Sequence, residues 1–242
     1  MRKGLTGATG NLYCGLWEFE DMGFLLHFLR SSDLFIDIGA NVGVYTVLAA
    51  GEVGARTIAI EPIPATFAYL LQNISINEIQ DRVTAQNIGL GAEQGTVRFT
   101  ESLDTVNHVA TAGEPNTIEV AVNKLDAIAR DKPPALLKID VEGFETEVIN
   151  GGEETLRSPR LKAVIIELNG CGERYGYDDA SIHQQLLNHG FQPYRYAPRS
   201  RQLHPLDTYG DRNTIYLRDV DFVRDRVKSS RKIRIGNGRQ YI

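Results

Sequence analysis

Acidic side chains recur where apolar runs of this 242-residue sequence come to an end. Asp37 lies in Leu34-Phe35-Ile36-Asp37-Ile38, Glu61 follows Arg56-Thr57-Ile58-Ala59-Ile60, Asp140 and Glu142 follow Leu137-Lys138-Ile139, and Glu167 closes Val164-Ile165-Ile166. A buried strand ends in charge at a desolvation cost unless the charge is used, and neighbouring carboxylates push one another's pKa upward. Carboxylates poised near neutral pH suit general-base work, which makes Asp140, Glu142 and Glu167 the first candidates. Three such oxygens also suit Mg²⁺, although nothing in their spacing demands a metal, and none is assigned. His108, inside the polar stretch 101–116, is a further candidate base, with His204 behind it.

The turn after the first of these runs reads Gly39-Ala40-Asn41-Val42-Gly43. A dinucleotide site wants G-x-G-x-x-G, whose middle glycine lets pyrophosphate approach bare backbone. Asn41 occupies that place here, and no GxxxxGK[ST] occurs anywhere in the chain, so NAD, FAD and P-loop nucleotides are disfavoured. Glu61 stands 22 residues after Gly39, where a carboxylate accepts hydrogen bonds from ribose hydroxyls. Acid at both strand ends with no phosphate cradle fits a cationic nucleoside, and S-adenosylmethionine is one: Asp37 faces its amino-acid end and Glu61 its ribose. Asn87-Ile88, closing the next strand, offers an amide and an apolar face for an adenine ring.

These residues need a scaffold that gathers strand ends on one edge. Strand-like runs at 34–38, 56–60, 83–88, 135–139, 161–168, 191–196 and 214–217 alternate with helix-like stretches at 42–50, 64–77, 144–156 and 179–189. Two period-two runs, 96–99 and 117–122, break the alternation and flank the polar stretch, which reads as a long loop. The pattern predicts an α/β fold with a mostly parallel, open sheet covered by helices on both faces, its ligand at the carboxyl ends of the strands.

The segments Phe35-Ile36-Asp37-Ile38-Gly39-Ala40-Asn41-Val42-Gly43, Ile60-Glu61-Pro62 and Leu137-Lys138-Ile139-Asp140-Val141-Glu142-Gly143, with the later Ile165-Ile166-Glu167 and Asn213-Thr214-Ile215-Tyr216, resemble the FkbM family of S-adenosylmethionine-dependent methyltransferases. The resemblance covers roughly residues 33–218. It implies a Rossmann-like, seven-stranded class I methyltransferase fold and methyl transfer to oxygen, often a hydroxyl of a sugar, glycan or other natural product. It also implies that Asp37, Gly39, Asn41, Gly43, Glu61 and Asn87 surround the cofactor, joined by Ile88 and Asp140 from the strand-end reading above. Residues 1–32 then form an N-terminal helical appendage and 219–242 a basic C-terminal tail, the places for substrate-specific elements.

Composition bounds the alternatives. With 42% hydrophobic and 24% charged residues the chain has the make-up of a globular protein rather than a disordered one. No apolar run reaches the roughly 20 residues of a membrane span, no signal-peptide core follows Met1-Arg2-Lys3, and Cys14 and Cys171 are isolated, so the expected location is cytoplasmic. The net charge of −5 divides unevenly: residues 221–242 hold seven basic and two acidic groups, +5, which leaves −10 for the rest. The acidic body argues against nucleic acid as partner. The tail keeps an RNA or nucleotide methyltransferase open as an alternative, or it clamps an anionic acceptor. A non-catalytic nucleoside-binding or assembly protein is the second alternative. The aromatic segment from Trp17 to Leu29 is expected to cover the sheet or the pocket, with a lid or a homodimer contact as other uses.

Overall fold

The computed structural model describes residues 15–101, 106–210, 212–235 and 240–242. In chain order the strands are β1 (Leu34–Ile38), β2 (Arg56–Ile60), β3 (Val83–Gln86), β4 (Gly89–Leu90), β5 (Gly95–Thr100), β6 (Thr117–Asn123), β7 (Leu136–Ile139), β8 (Ala163–Glu167), β9 (Gln192–Ala197), β10 (Gln202–Pro205), β11 (Asn213–Leu217), β12 (Arg234–Ile235) and β13 (Gln240–Tyr241). The α-helices are α1 (Phe19–Phe28), α2 (Val44–Val47), α3 (Pro64–Ile76), α4 (Leu125–Ala129), α5 (Glu145–Asn150), α6 (Glu153–Arg157), α7 (Asp179–Asn188) and α8 (Val220–Lys228).

The apolar runs of β1, β2, β3, β7 and β8 pair in parallel, and the main sheet has the order β10-β9-β11-β8-β7-β1-β2-β3. Strand β11 inserts antiparallel between β8 and β9. The fold is therefore α/β and Rossmann-like, as expected, with one addition: β10 folds back on β9 and makes an eighth strand. The chain reverses direction across the sheet between β1 and β7, which opens a crevice at their carboxyl ends. Strands β4, β6 and β5 form a separate three-stranded sheet. It includes both period-two runs, and Gly89–Leu90, just past the expected 83–88 strand, joins it, while that strand itself ends at Gln86.

Register decides which side chains meet. Asp37 lies opposite Lys138, Lys138 opposite Ile165, and Glu167 opposite Asn213. Side chains alternate along a strand, so these residues share one face of the sheet. The same face is covered by α1, whose Phe24, Leu25, Phe28 and Leu29 are fully buried among Phe35, Leu136, Ile165 and Ile215. That helix forms because it is apolar nearly all round, carries Glu20 and Asp21 in its first turn, and has its last carbonyls, those of His27 and Phe28, tied by the Arg30 guanidinium. The opposite face is packed by α5, α6 and α7 through Val148, Leu156, Ile182 and Leu186.

Two helices differ from the expected bounds. The stretch 42–50 is a short α-turn that continues as a π-turn over Leu48–Val53. The stretch 144–156 breaks at Gly151-Gly152, because the backbone of Gly91 approaches so closely that a Cβ on Gly151 would lie 2.1 Å from its carbonyl oxygen. The tail departs further. Helix α8 buries Val223 and Val227 in the core, Arg226 pairs with Asp33 just before β1, and Arg231 pairs with Glu52 just before β2. These arginines anchor the tail at the amino ends of the strands, away from the crevice, and do not reach an acceptor there. Among the described residues no helix is long and apolar enough to cross a membrane.

Candidate active site

Three turns meet at the crevice. The first follows β1: Gly39 and Ala40 donate to the carbonyl of Ile60, at 3.0 and 2.9 Å. Gly39 has φ +77° and packs so tightly that a Cβ would sit 1.7 Å from the Asp140 carbonyl oxygen, so glycine is obligatory on both counts. Asn41 adopts φ 51° and directs its N–H to the Glu61 carboxylate at 2.9 Å. Ile63 N–H donates to the other Glu61 oxygen at 2.9 Å. Two backbone donors thus fix Glu61, whose pKa is pushed to about 7 because burial outweighs those hydrogen bonds. A carboxylate has about four acceptor positions, and two remain for a ligand.

Asp37 lies deeper. Its carboxylate accepts the Thr46 hydroxyl at 2.6 Å, and burial raises its pKa to about 6. Gly43 closes the turn by donating to Ala40, and Asn73 Nδ2 donates to the Val42 carbonyl at 2.7 Å. Asn87 donates its amide hydrogens to the carbonyls of Glu61 and Pro62, so it braces the turn after β2 with the groups expected to read a base. Ile88 packs partly against the core beneath. Taken together, the turns offer carboxylates, an amide and backbone, with no cationic side chain among Asp37, Asn41, Glu61 and Asn87. That donor set fits a cationic, phosphate-free nucleoside and does not fit a pyrophosphate.

The segment after β7 carries the strongest local distortion. Glu142 has φ 55° and Gly143 φ +101°, a left-handed pair that glutamate rarely joins. A Cβ on Gly143 would meet the Cys171 carbonyl at 2.5 Å. Glu145 holds the bend, its Oε1 accepting from Val141 N–H at 3.0 Å and Gly143 N–H at 3.2 Å. The bend points Asp140 and Glu142 toward Glu167, and one carboxylate oxygen of each of the three lies within 4.8 Å of the others. The acids expected from the sequence to work together are together. An oxygen-only set of this kind also suits a hard divalent cation.

Charge inside this trio is ordered by a residue the sequence reading passed over. Lys138 is 2% exposed, donates to Asp140 Oδ2 at 2.9 Å and lies over the Tyr45 ring at 5.3 Å. Burial alone would strip its proton, but the carboxylates of Asp140, Glu18 and Glu167 outweigh that and hold it protonated. Burial and then the Asp140 carboxylate move Glu167 well above the usual carboxylate range. Burial, Asp140 and Glu145 raise Glu142 to about 7. A lysine in the middle of an otherwise apolar strand was the signal available in the sequence.

Glu167 has a second neighbourhood. It lines a cavity of about 1230 Å³ enclosed by the first turn of α1 and the strand ends of β8, β9 and β11, with Glu18, Asp21, Asn169, Tyr194, Tyr209 and Asn213 among its walls. Neither Glu18 nor Asp21 was expected from the sequence, since both lie in the segment taken as cover.

His108 is not part of this arrangement. Its ring nitrogens face the Val106 carbonyl at 2.9 Å and Glu114 at 3.2 Å, and its main chain joins Thr100 beside β5. Its ring serves its own loop. His204 lies on β10, at the edge of the sheet. Cys14 lies outside the described residues, and Cys171 is a half-buried free thiol.

Comparison with known proteins adds ancestry to geometry. A family model described as "Methyltransferase FkbM domain" matches residues 37–193. Hexuronic acid methyltransferase AglP of Haloferax volcanii is 27% identical over 164 residues, covering 64% of this chain and 66% of that protein. The 31-O-demethyl-FK506 methyltransferase FkbM of Streptomyces tacrolimicus is 29% identical over 211 residues, covering 72% of this chain and 78% of that one. The chain spans slightly less than two thirds of the length of several curated relatives, 63% to 66%. Among solved structures, precorrin-6y C5,15-methyltransferase of Geobacter metallireducens superposes with a TM-score of 0.47 at 14% identity, covering 88% of this chain and 93% of that one.

Proposed function

The chain belongs to the FkbM methyltransferase family, and on that premise we propose that it transfers a methyl group from S-adenosylmethionine to a hydroxyl oxygen of a sugar, glycan or other natural-product acceptor. When bound, S-adenosylmethionine supplies a methyl group on a sulfonium whose departure as a neutral thioether needs little help. The donor set of the turns supports this ligand. Asp37 would hold its cationic amino-acid end, Glu61 its ribose hydroxyls, and Gly39, Asn41 and Gly43 the close backbone approach. Asn87 would act from behind, by fixing the turn that carries Glu61.

What remains for the protein is to place the acceptor oxygen in line and remove its proton as the new C–O bond forms. The single observation that carries the assignment is that Glu167 belongs both to the carboxylate trio and to the cavity wall. It alone of the trio lines that cavity, and its raised pKa suits it to take up a hydroxyl proton. Asp140, paired with Lys138 at 2.9 Å, favours the protonated form of Glu167 once the transfer is made. Glu142 stands beside both in the trio. The relatives named for hexuronic acid and for a demethyl-FK506 macrolide support oxygen as the target. Arg226 and Arg231 of the tail are engaged by Asp33 and Glu52 at the amino ends of the strands, which weakens the motivating feature of the RNA-directed alternative.

The test is formation of S-adenosylhomocysteine by the purified full chain with a panel of glycoside and macrolide alcohols. Turnover with at least one alcohol, lost on Glu167→Gln while cofactor binding persists, is the expected result. Full activity in Glu167→Gln would overturn the assignment of the base.

A further inference from the structure

We propose that the cavity beside Glu167 is the acceptor site for a polyol that carries no negative charge, held by Glu18, Asp21 and Asn213 beneath the first turn of α1. The inference deepens the methyltransferase reading and rests on it for the identity of the neighbouring cofactor site.

The geometry begins with register. Asn213 pairs across the strands with Glu167, so any group that reaches the base also reaches Asn213. Its Nδ2 donates to Glu18 Oε1 at 2.7 Å, which ties the first turn of α1 to the reacting end of the sheet. Its Oδ1 is buried and has no hydrogen-bond partner. Behind these residues lies the Tyr45 hydroxyl, on a side chain only 7% exposed, also without a hydrogen bond of ordinary geometry. Its acidic neighbours are Asp21, Glu18 and Asp140, and Lys138 Nζ lies over its ring at 5.3 Å. Buried polar atoms are almost always satisfied, and the unpartnered Asn213 Oδ1, on a residue of the cavity wall, indicates a partner that brings hydroxyl groups of its own. Carboxyl groups and an amide oxygen can serve several hydroxyls at once, each hydroxyl donating to one of them.

Charge selects among polyols. Glu18, Asp21 and Glu167 face the cavity, whereas the lining cation Arg195 is paired with Glu20 at 2.9 Å and Arg212 stands exposed. Lys138, beneath, is already paired with Asp140. A carboxylate or phosphate on the acceptor would enter against these three acids. A neutral or amino-bearing polyol would not. Trp17, 64% exposed on the cavity wall, and Tyr194 and Tyr209 offer flat faces to the C–H side of a sugar ring.

The experiment is saturation-transfer NMR on the full chain with S-adenosylhomocysteine present, after calorimetry has measured the binding of that compound. The probes are methyl glycosides of glucose, galactose, mannose and glucosamine, the corresponding uronates, and cyclohexanol. A signal from at least one neutral or amino glycoside is expected, with none from the uronates at the same concentration. That signal should fall roughly fivefold or more, about 1 kcal/mol of binding, in Asn213→Ala and in Asp21→Ala. Glu18→Gln, which keeps its side-chain volume, covers the case in which either alanine variant fails to fold. Binding by uronates or cyclohexanol alone, binding by no probe, or a glycoside signal unchanged in the folded variants would overturn the proposal. Absence of S-adenosylhomocysteine binding in calorimetry would count against the methyltransferase reading instead, which keeps the two failures apart.

Discussion

The two ends of the main sheet solve the same problem in opposite ways. At the amino ends, loose backbone carbonyls are gathered by arginines: Arg218 donates to the carbonyls of Leu156, Ser158, Leu161 and His189, and Arg30 to those of His27, Phe28, Leu29 and Arg226. Both terminal nitrogens of each guanidinium are engaged by carbonyls of the chain itself. At the carboxyl ends the buried charges are acids, Asp21, Asp37, Glu61, Glu142, Glu145 and Glu167, and burial lifts the pKa of each. Lys138 is interposed among them, and Arg174 stands near Glu142. One end is closed by satisfied polar groups; the other holds desolvated carboxylates whose cost is recovered when a ligand or a proton arrives. The contrast separates stability from function within one sheet, and substitutions should divide along it.

The largest effect should come from the acid end. Replacing Glu167 by Gln keeps shape and removes the base, so turnover should fall about 10² to 10⁴-fold, while calorimetric affinity for S-adenosylmethionine changes little. At the arginine end, Arg218→Ala removes four carbonyl contacts and the packing over Phe191 at 4.5 Å. It should cost about 3 kcal/mol of stability, a lowering of the melting temperature by roughly 6–12 °C in a chain of this size. Activity per folded molecule should survive. A large loss of turnover with unchanged melting in Arg218→Ala would break the division.

Smaller effects sharpen it. Glu61→Ala should weaken S-adenosylmethionine binding about 10 to 100-fold through the lost hydrogen bonds, measured by calorimetry, with little change in KM for the acceptor. The raised acids also set a pH dependence. Between their unfolded pKa values near 4 and their folded values near 6 to 7, Asp21, Asp37, Glu61, Glu142 and Glu145 bind protons in the native state that the unfolded chain has released. Native-state stability therefore falls as pH rises from about 4.5 to 7.5, and thermal melts of the ligand-free protein should show a lower midpoint at pH 7.5 than at pH 5. Smallest of all, His108→Gln should alter turnover less than about twofold, because its ring nitrogens serve Val106 and Glu114 in its own loop.

What the sequence disclosed follows the same physics. Short apolar runs ending in Asp37, Glu61, Asp140 and Glu167 were legible because burial and charge conflict there, and the fold places all of them at one edge. The pairing of Asp140, Glu142 and Glu167 was legible because two of the three stand two residues apart at one strand end and the third closes another. Long-range register was not: nothing local says that Asn213 faces Glu167, or that Glu18 and Asp21 meet Tyr45 from the far side of the first strand. Lys138 was visible and passed over, although an isolated lysine among Leu136, Leu137 and Ile139 has to be explained by buried acids nearby. The contacts of His108 were hidden, because a histidine in a polar stretch carries no sign of the Glu114 that engages it. The tail misled through its charge alone. Val223 and Val227, spaced four apart, were the better guide to a helix packed on the core.

Calorimetric titration of the full chain with S-adenosylmethionine tests the central claim most directly. Binding at one site, weakened by Glu61→Ala and retained in Glu167→Gln, is the predicted result. A folded protein that takes up no S-adenosylmethionine, or whose affinity is indifferent to Glu61, would contradict the account.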